Sequence, residues 1–302
     1  MSAITEAASA RAVFGRAPLV SWDDVFSFQD YGALLALVQN SLIAGAVLGL
    51  VGGLIGVFVM QRDLAFAVHG VSELSFAGAA AALLFGFNIV GGSLVGAMVA
   101  ALLIGVLGAK ARDRNSIIGV LMPFGLGLGI LFLSLYDGRS ANRFSLLTGQ
   151  IISVDTPDLA WLIGICVAVF VVLLLIWRPL RFDSLDPASA AARGIPSSLV
   201  SIGFMLLLGA VVAVSVQIIG ALLVMALLVT PAAAAMRLSA GPLAVPVLAA
   251  VFGFVSAVGG ILLAIAGTLP VSPYITSISF LIYILARLVA WGRARVSRPI
   301  PA

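Results

Sequence analysis

The chain is poor in nearly everything that catalysis or a soluble surface requires. Its 302 residues hold one histidine, one cysteine and only 9% charged side chains. A lone cysteine excludes an intramolecular disulfide and a thiolate metal cluster, and Cys166, set in an apolar run, reads as a small buried hydrophobe. There is no Walker loop, no Ser/His/Asp grouping and no dinucleotide fingerprint, so the chain has no means of its own to hydrolyse ATP and is not read as an enzyme. The shortage of charge also excludes a soluble domain of this size.

What fills the chain instead is apolar: 62% of residues are hydrophobic and 32 are glycine. They fall into blocks of about 17 to 25 residues, the length of helix that crosses the hydrocarbon of a bilayer, with no two-residue alternation of the kind a barrel shows. An all-α polytopic membrane protein of about nine transmembrane helices follows, in contact with membrane lipid. The formal charge of +4 does not point to nucleic acid, because the basic residues are scattered between the apolar blocks, where they set orientation.

Residues 1–32 are polar and aromatic by turns and form an extracytoplasmic or interfacial N-terminal segment. The transmembrane domain spans 33–292, and 293–302 make a basic tail. Within the domain, the first span runs from Gly32 to Met60 and the second from about Leu64 to Phe85. The third covers about Ile89 to Ala109. The fourth, Ser116 to Leu135, includes Pro123 with Gly125, Gly127 and Gly129, a composition that permits close helix contact or a broken helix. Residues 144–157 read as a half-helix near a surface. The fifth span, Asp158 to Trp177, is expected to stop at Arg178 and Pro179. Four more follow at about 199–216, 218–238, 243–266 and 274–292. Between the fifth and sixth lies a polar interval, Arg178 to Ser198, in which Asp186 and Pro187 start a short helix and Gly194 ends it.

With nine spans, eleven of the 16 basic residues fall on one side: Arg62, Lys110, Arg112, Arg114, Arg178, Arg181, Arg193, Arg237, Arg293, Arg295 and Arg298. By the positive-inside rule that side is cytoplasmic, which leaves the N-terminus outside and the C-terminus in the cytoplasm.

Candidate chemistry concentrates in Asp63 to Gly78, DLAFAVHGVSELSFAG, where His69 and Glu73 interrupt an apolar helix. Four residues apart, they share one helix face. At about 1.5 Å per residue, Glu73 lies roughly 13 Å into the span, a depth at which a carboxylate needs a partner, a cavity or a functional reason. An imidazole nitrogen and a carboxylate oxygen suit zinc, manganese or ferrous iron. Two other readings stay open from spacing alone: a hydrogen bond that satisfies two buried groups, and a proton relay. Thr148 and Gln150 can line an outer half-helix or serve as caps. Thr230, before Pro231, marks a locally broken helix facing a pathway or a packing kink.

Five stretches in order carry a resemblance: Asp63 to Gly78; Asn115 to Tyr136; Leu146 to Leu159; Phe182 to Ile195, FDSLDPASAAARGI; and Gly220 to Ala235, GALLVMALLVTPAAAA. The region from about Leu34 to Trp291 resembles the membrane permease subunits of bacterial zinc/manganese/iron ABC importers. The resemblance implies a multi-pass protein of the bacterial inner membrane, paired with a second permease copy as a homodimer. It also implies cytoplasmic ABC ATPase subunits and an extracytoplasmic metal-binding protein as partners. The coupling helix that docks the ATPase would comprise Asp186, Pro187, Ala188, Ala191, Arg193 and Gly194. No cofactor is permanently bound; the cargo is a divalent metal ion, zinc first and manganese next. Where the family has Asp and then His four residues on, this sequence has His69 and then Glu73, which exchanges the depth of carboxylate and imidazole. The alternatives are a proton-coupled secondary transporter, for which no convincing internal repeat is found, and a siderophore or cobalamin permease.

Overall fold

The computed structural model describes residues 31–108, 111–136, 154–221, 224–267 and 270–296. Every regular element among these is a helix, and the order is α1 (Tyr31–Leu37), α2 (Gln39–Gln61), α3 (Ala65–Phe85), α4 (Ile89–Leu107), α5 (Ala111–Leu135), α6 (Thr156–Leu185), α7 (Pro187–Ala192), α8 (Ser197–Ile219), α9 (Val224–Leu238), α10 (Ala244–Ile265) and α11 (Val271–Val296). Eight of them are long and apolar enough to cross a membrane, and α9 is a shorter apolar helix, so the expectation of about nine spans holds. In hydrocarbon every backbone N–H and C=O must be paired within the segment, which is why so apolar a chain has only this solution.

The helices sort by burial. In α2 and α3, 67% of the most apolar window is buried and in α8 61%, whereas the figure is 22% in α5 and 17% in α11. The first three therefore make the centre, and α4, α5, α6 and α11 present leucine, valine and phenylalanine outward. Among these, Val95, Phe124, Leu175 and Phe280 are exposed, as a lipid-facing surface requires.

Close approach at the centre depends on glycine. A Cβ on Gly49 of α2 would stand 2.5 Å from the carbonyl oxygen of Gly253 on α10, so any larger residue would push these helices apart. Gly78 and Gly96 make the same kind of backbone contact between α3 and α4. With no hydrophobic force between helices in lipid, such packing and interhelical hydrogen bonds hold the bundle. Buried serines supply several: Ser75 shares a 2.7 Å bond with Ser93, Ser93 donates to the carbonyl of Ala213, and Ser279 donates to that of Ala226.

Several boundaries differ from those expected. The first span is interrupted at Val38, which separates α1 from α2. Helix α5 runs unbroken through Pro123, and the glycines near it serve close contact: Gly125 abuts the backbone of Glu73 and Leu74, and Gly129 the ring of Phe76. The fifth span does not stop at Arg178 and Pro179 but continues to Leu185. The proline's penalty in a helix interior is offset because the added turns bury Leu180 and Asp183. Helix α9 likewise passes through Pro231 without a break. The interruption lies earlier, at Gly220, whose φ of 85° ends α8 and requires glycine. Of the half-helix expected at 144–157, residues 144–153, with Thr148 and Gln150, lie outside the described residues, and Thr156 already begins α6; 1–30 of the N-terminal segment and the end of the basic tail from 297 also lie outside them.

Candidate functional site

His69 and Glu73 sit on the first half of α3, the helix that packs most extensively against α4 and α5. The fold brings the two together: His69 Nε2 stands 3.5 Å from Glu73 Oε1, with the side chains 25% and 2% exposed. That separation is long for a hydrogen bond between these groups. The other two polar atoms, His69 Nδ1 and Glu73 Oε2, are buried without a hydrogen-bond partner. Two of the pair's four polar atoms thus have no hydrogen-bond partner within the chain.

The separation does fit a shared ligand. Two donor atoms each about 2.1 Å from one metal ion are about 3.4 Å apart at a tetrahedral angle and about 3.0 Å at a right angle. Among the described residues no group of three or more His, Cys, Asp and Glu side chains converges, so one chain offers this pair and not a closed site. An ion held by two protein ligands is held loosely enough to leave.

At Ser72, the residue before Glu73, α3 is tied to the break after α8: Ser72 Oγ donates to the carbonyl of Ala221 at 2.6 Å. Ser272 of α11 donates to the Ile219 carbonyl at 2.9 Å on the same break. Carbonyls released from the helix ladder at Gly220 thus find hydroxyl donors, one of them on the residue next to Glu73. Thr230 is half-buried on α9. Its neighbours Leu228 and Ala232 face Gly56 of α2, and two residues along a helix from each it is turned away from that contact. Among the described residues no hydrogen bond joins Thr230 to His69 or Glu73.

The short helix expected from Asp186 is present as α7. Asp186 caps it, its carboxylate accepting from the Ser189 backbone N–H at 3.1 Å, with Pro187 in the first turn. The Ser189 hydroxyl and then its N–H hold the Asp186 carboxyl below the usual carboxylate range. Gly194, with φ of 79°, turns the chain back toward α8. Ala190 is buried against the bundle, whereas Ala188, Ala191 and Arg193 are exposed. Arg193 lies over the ring of Phe182 at 5.2 Å.

Next to α7 is a buried ionic junction. Arg62, at the turn between α2 and α3, pairs with Asp183 of α6 at 2.8 Å, the side chains being 12% and 2% exposed. The same guanidinium donates to Ser184 Oγ at 3.1 Å and to Ser201 Oγ of α8. Arg114 of α5 donates to the Arg62 carbonyl at 3.3 Å. The junction lines a cavity of about 420 Å³ that also reaches Pro187 of α7.

A model of the ABC 3 transport family matches residues 35–290. The chain belongs to that family. Over 235 residues this ABC 3 chain is 32% identical to the manganese transport system membrane protein MntC of Halalkalibacterium halodurans, covering 78% of itself and 80% of that protein. Over 256 residues it is 30% identical to the MntC of Listeria monocytogenes, covering 84% and 91%. Its fold is similar to that of a chain in the structure of PsaBC from Streptococcus pneumoniae in complex with Fab, with a TM-score of 0.77 and 24% identity over 86% of this chain and 95% of that one. The family read from the five ordered motifs is therefore the right one.

Sequence reasoning misses two features of this ABC 3 chain. Arg62 reads there only as a charge that sets orientation, and Asp183, inside FDSLDP, carries no signal of its own. Ser72, between the two candidate ligands, looks like any small polar residue on an apolar helix. A serine or carboxylate at such a position is a signal only once its partner is known, and both partners lie more than 100 residues away: 121 for Asp183 and 149 for Ala221.

Proposed function

We propose that this permease is the transmembrane subunit of an ATP-driven importer for a divalent transition-metal ion, with manganese as the cargo. The observation that carries the reading is the His69/Glu73 pair, held at the spacing of two ligands on one ion, with both outer atoms left without partners. The relatives named as manganese systems favour manganese over zinc, which the sequence reading put first. The chemistry permits that cargo, since a carboxylate and an imidazole without thiolate suit manganese as well as zinc.

In this reading two copies form a homodimer, and each brings one His69/Glu73 pair to a shared path. Two glutamates balance the double charge of the ion where the dielectric is low, and water completes the shell. An extracytoplasmic binding protein delivers the ion. ATPase subunits, docked on α7 at the cytoplasmic face of the bacterial inner membrane, drive the path between outward and inward openings. The N-terminus then lies outside and the C-terminus in the cytoplasm.

The test is manganese uptake by vesicles holding the permease with its ATPase and binding protein, with zinc as competitor. ATP-dependent uptake that H69A/E73A abolishes while the complex still assembles is the expected result. Uptake driven by a proton gradient without ATP would replace this reading with the secondary-transporter one.

A further inference from the structure

The ionic junction at Arg62 has no part in holding cargo, and its placement gives it another role. Asp183 lies in the last turn of α6, three residues before Asp186, the cap of the docking helix α7. Arg62 closes α2 and opens the turn into α3, seven residues before His69. The turn is sharp, with Asp63 at a φ of 52°. The guanidinium thus spans from the base of the docking helix to the base of the cation helix. Its planar fork reaches oxygens on α6 and α8 at once, a geometry that a flexible ammonium does not reproduce.

We infer that the Arg62–Asp183 junction transmits the movement of α7 to α3, making Arg62 and Asp183 positioning residues for the cation pair. The inference rests on the importer reading for the source of that movement. An outward or sideways shift of α7 carries the end of α6, to which it is joined and against which it packs. Because Asp183 is buried and its pairing is charge-assisted, separating it from Arg62 is costly, so the two move as one body. The α2–α3 turn follows, and with it the first turns of α3. Arg114, bonded to the Arg62 carbonyl, carries α5 in the same direction.

The informative variant is R62M/D183L, since replacing a buried ion pair by apolar residues of similar volume removes the link without leaving a lone buried charge. In vesicles with the ATPase and binding protein, the ATP hydrolysed per manganese ion taken up is expected to rise by about tenfold, the scale of one lost charge-assisted hydrogen bond. Thermal stability should be kept. R62K, which retains the charge but not the fork, should fall between this variant and the wild type. A wild-type ratio in R62M/D183L, or hydrolysis and uptake falling in step, overturns the inference.

A second readout does not depend on cargo. F66C places a thiol on the exposed first turn of α3, where the native Cys166 is buried and contributes little background. Its maleimide labelling rate should change on ATP binding in the wild-type background and lose that change in R62M/D183L. An equal nucleotide response in both backgrounds overturns the inference. Loss of manganese uptake in the wild type, with its labelling response intact, would instead count against the cargo reading alone.

Discussion

Two pairs of ionisable side chains, each with a buried carboxylate, lie at opposite ends of the first turns of α3, and they are built on different plans. Arg62 and Asp183 meet at 2.8 Å, and two serines take up further guanidinium donors. One of their atoms, Asp183 Oδ1, is buried without a hydrogen-bond partner, and the residue borders the cavity beside α7. His69 and Glu73 stand 3.5 Å apart, and each keeps an unpartnered buried atom. The more fully bonded pair ties α2, α6 and α8 together through one guanidinium. His69 and Glu73 form the less bonded pair, with two of their four polar atoms lacking a partner within the chain.

That contrast breaks if the two pairs respond alike to substitution. Asp183→Ala leaves the Arg62 charge buried and should lower stability by about 3 to 5 kcal/mol, read as a drop in the melting temperature of the purified permease. Replacing His69 and Glu73 together by Ala should do the opposite. Manganese uptake is expected to fall on the order of 100-fold through lost ligands, while the melting temperature stays level or rises because an unsatisfied carboxyl has gone. A large stability loss in H69A/E73A would make the pair structural after all.

Smaller substitutions sharpen the boundary between the two. Ser72→Ala removes one interhelical hydrogen bond to the Ala221 carbonyl and should lower stability by about 0.6 kcal/mol, measured in the same melting experiment. An uptake loss far beyond that would extend the cation site to the break after α8. The smallest effect is expected at Asp186, which is fully exposed. Its carboxyl is held below the ordinary range, so the cap on α7 is complete above the ordinary carboxylate pKa and is lost as pH falls through the lowered folded value. ATPase binding to the permease should therefore be level from neutral pH down to mildly acidic pH and weaken only below it, with D186A flattening that fall.

Much of this architecture is legible in the sequence, and for an identifiable reason. Blocks of apolar residues report membrane helices because the bilayer has one thickness and the backbone one way of pairing within it. His69 and Glu73 are legible as a pair because residues four apart on a helix must share a face, whatever surrounds them. The cap at Asp186 and the stop at Gly194 are legible because both act within a few residues. The proline signals mislead: Pro123, Pro179 and Pro231 each suggest an end or a break, and each lies inside a continuous helix. Neighbouring helices and buried contacts offset what the proline removes, and no local pattern records them.

The sequence by itself thus determined the class of the protein, the run of its helices, the shared face of the candidate ligands and the position of the short helix α7. These follow from interactions between residues a few positions apart. Only the tertiary structure decided that Arg62 meets Asp183, that Ser72 reaches the carbonyl freed beside Gly220, and that His69 and Glu73 keep one unpartnered atom each. Those outcomes depend on which helices pack together, and packing in lipid is chosen by close contact between distant segments, which hydropathy along the chain does not encode.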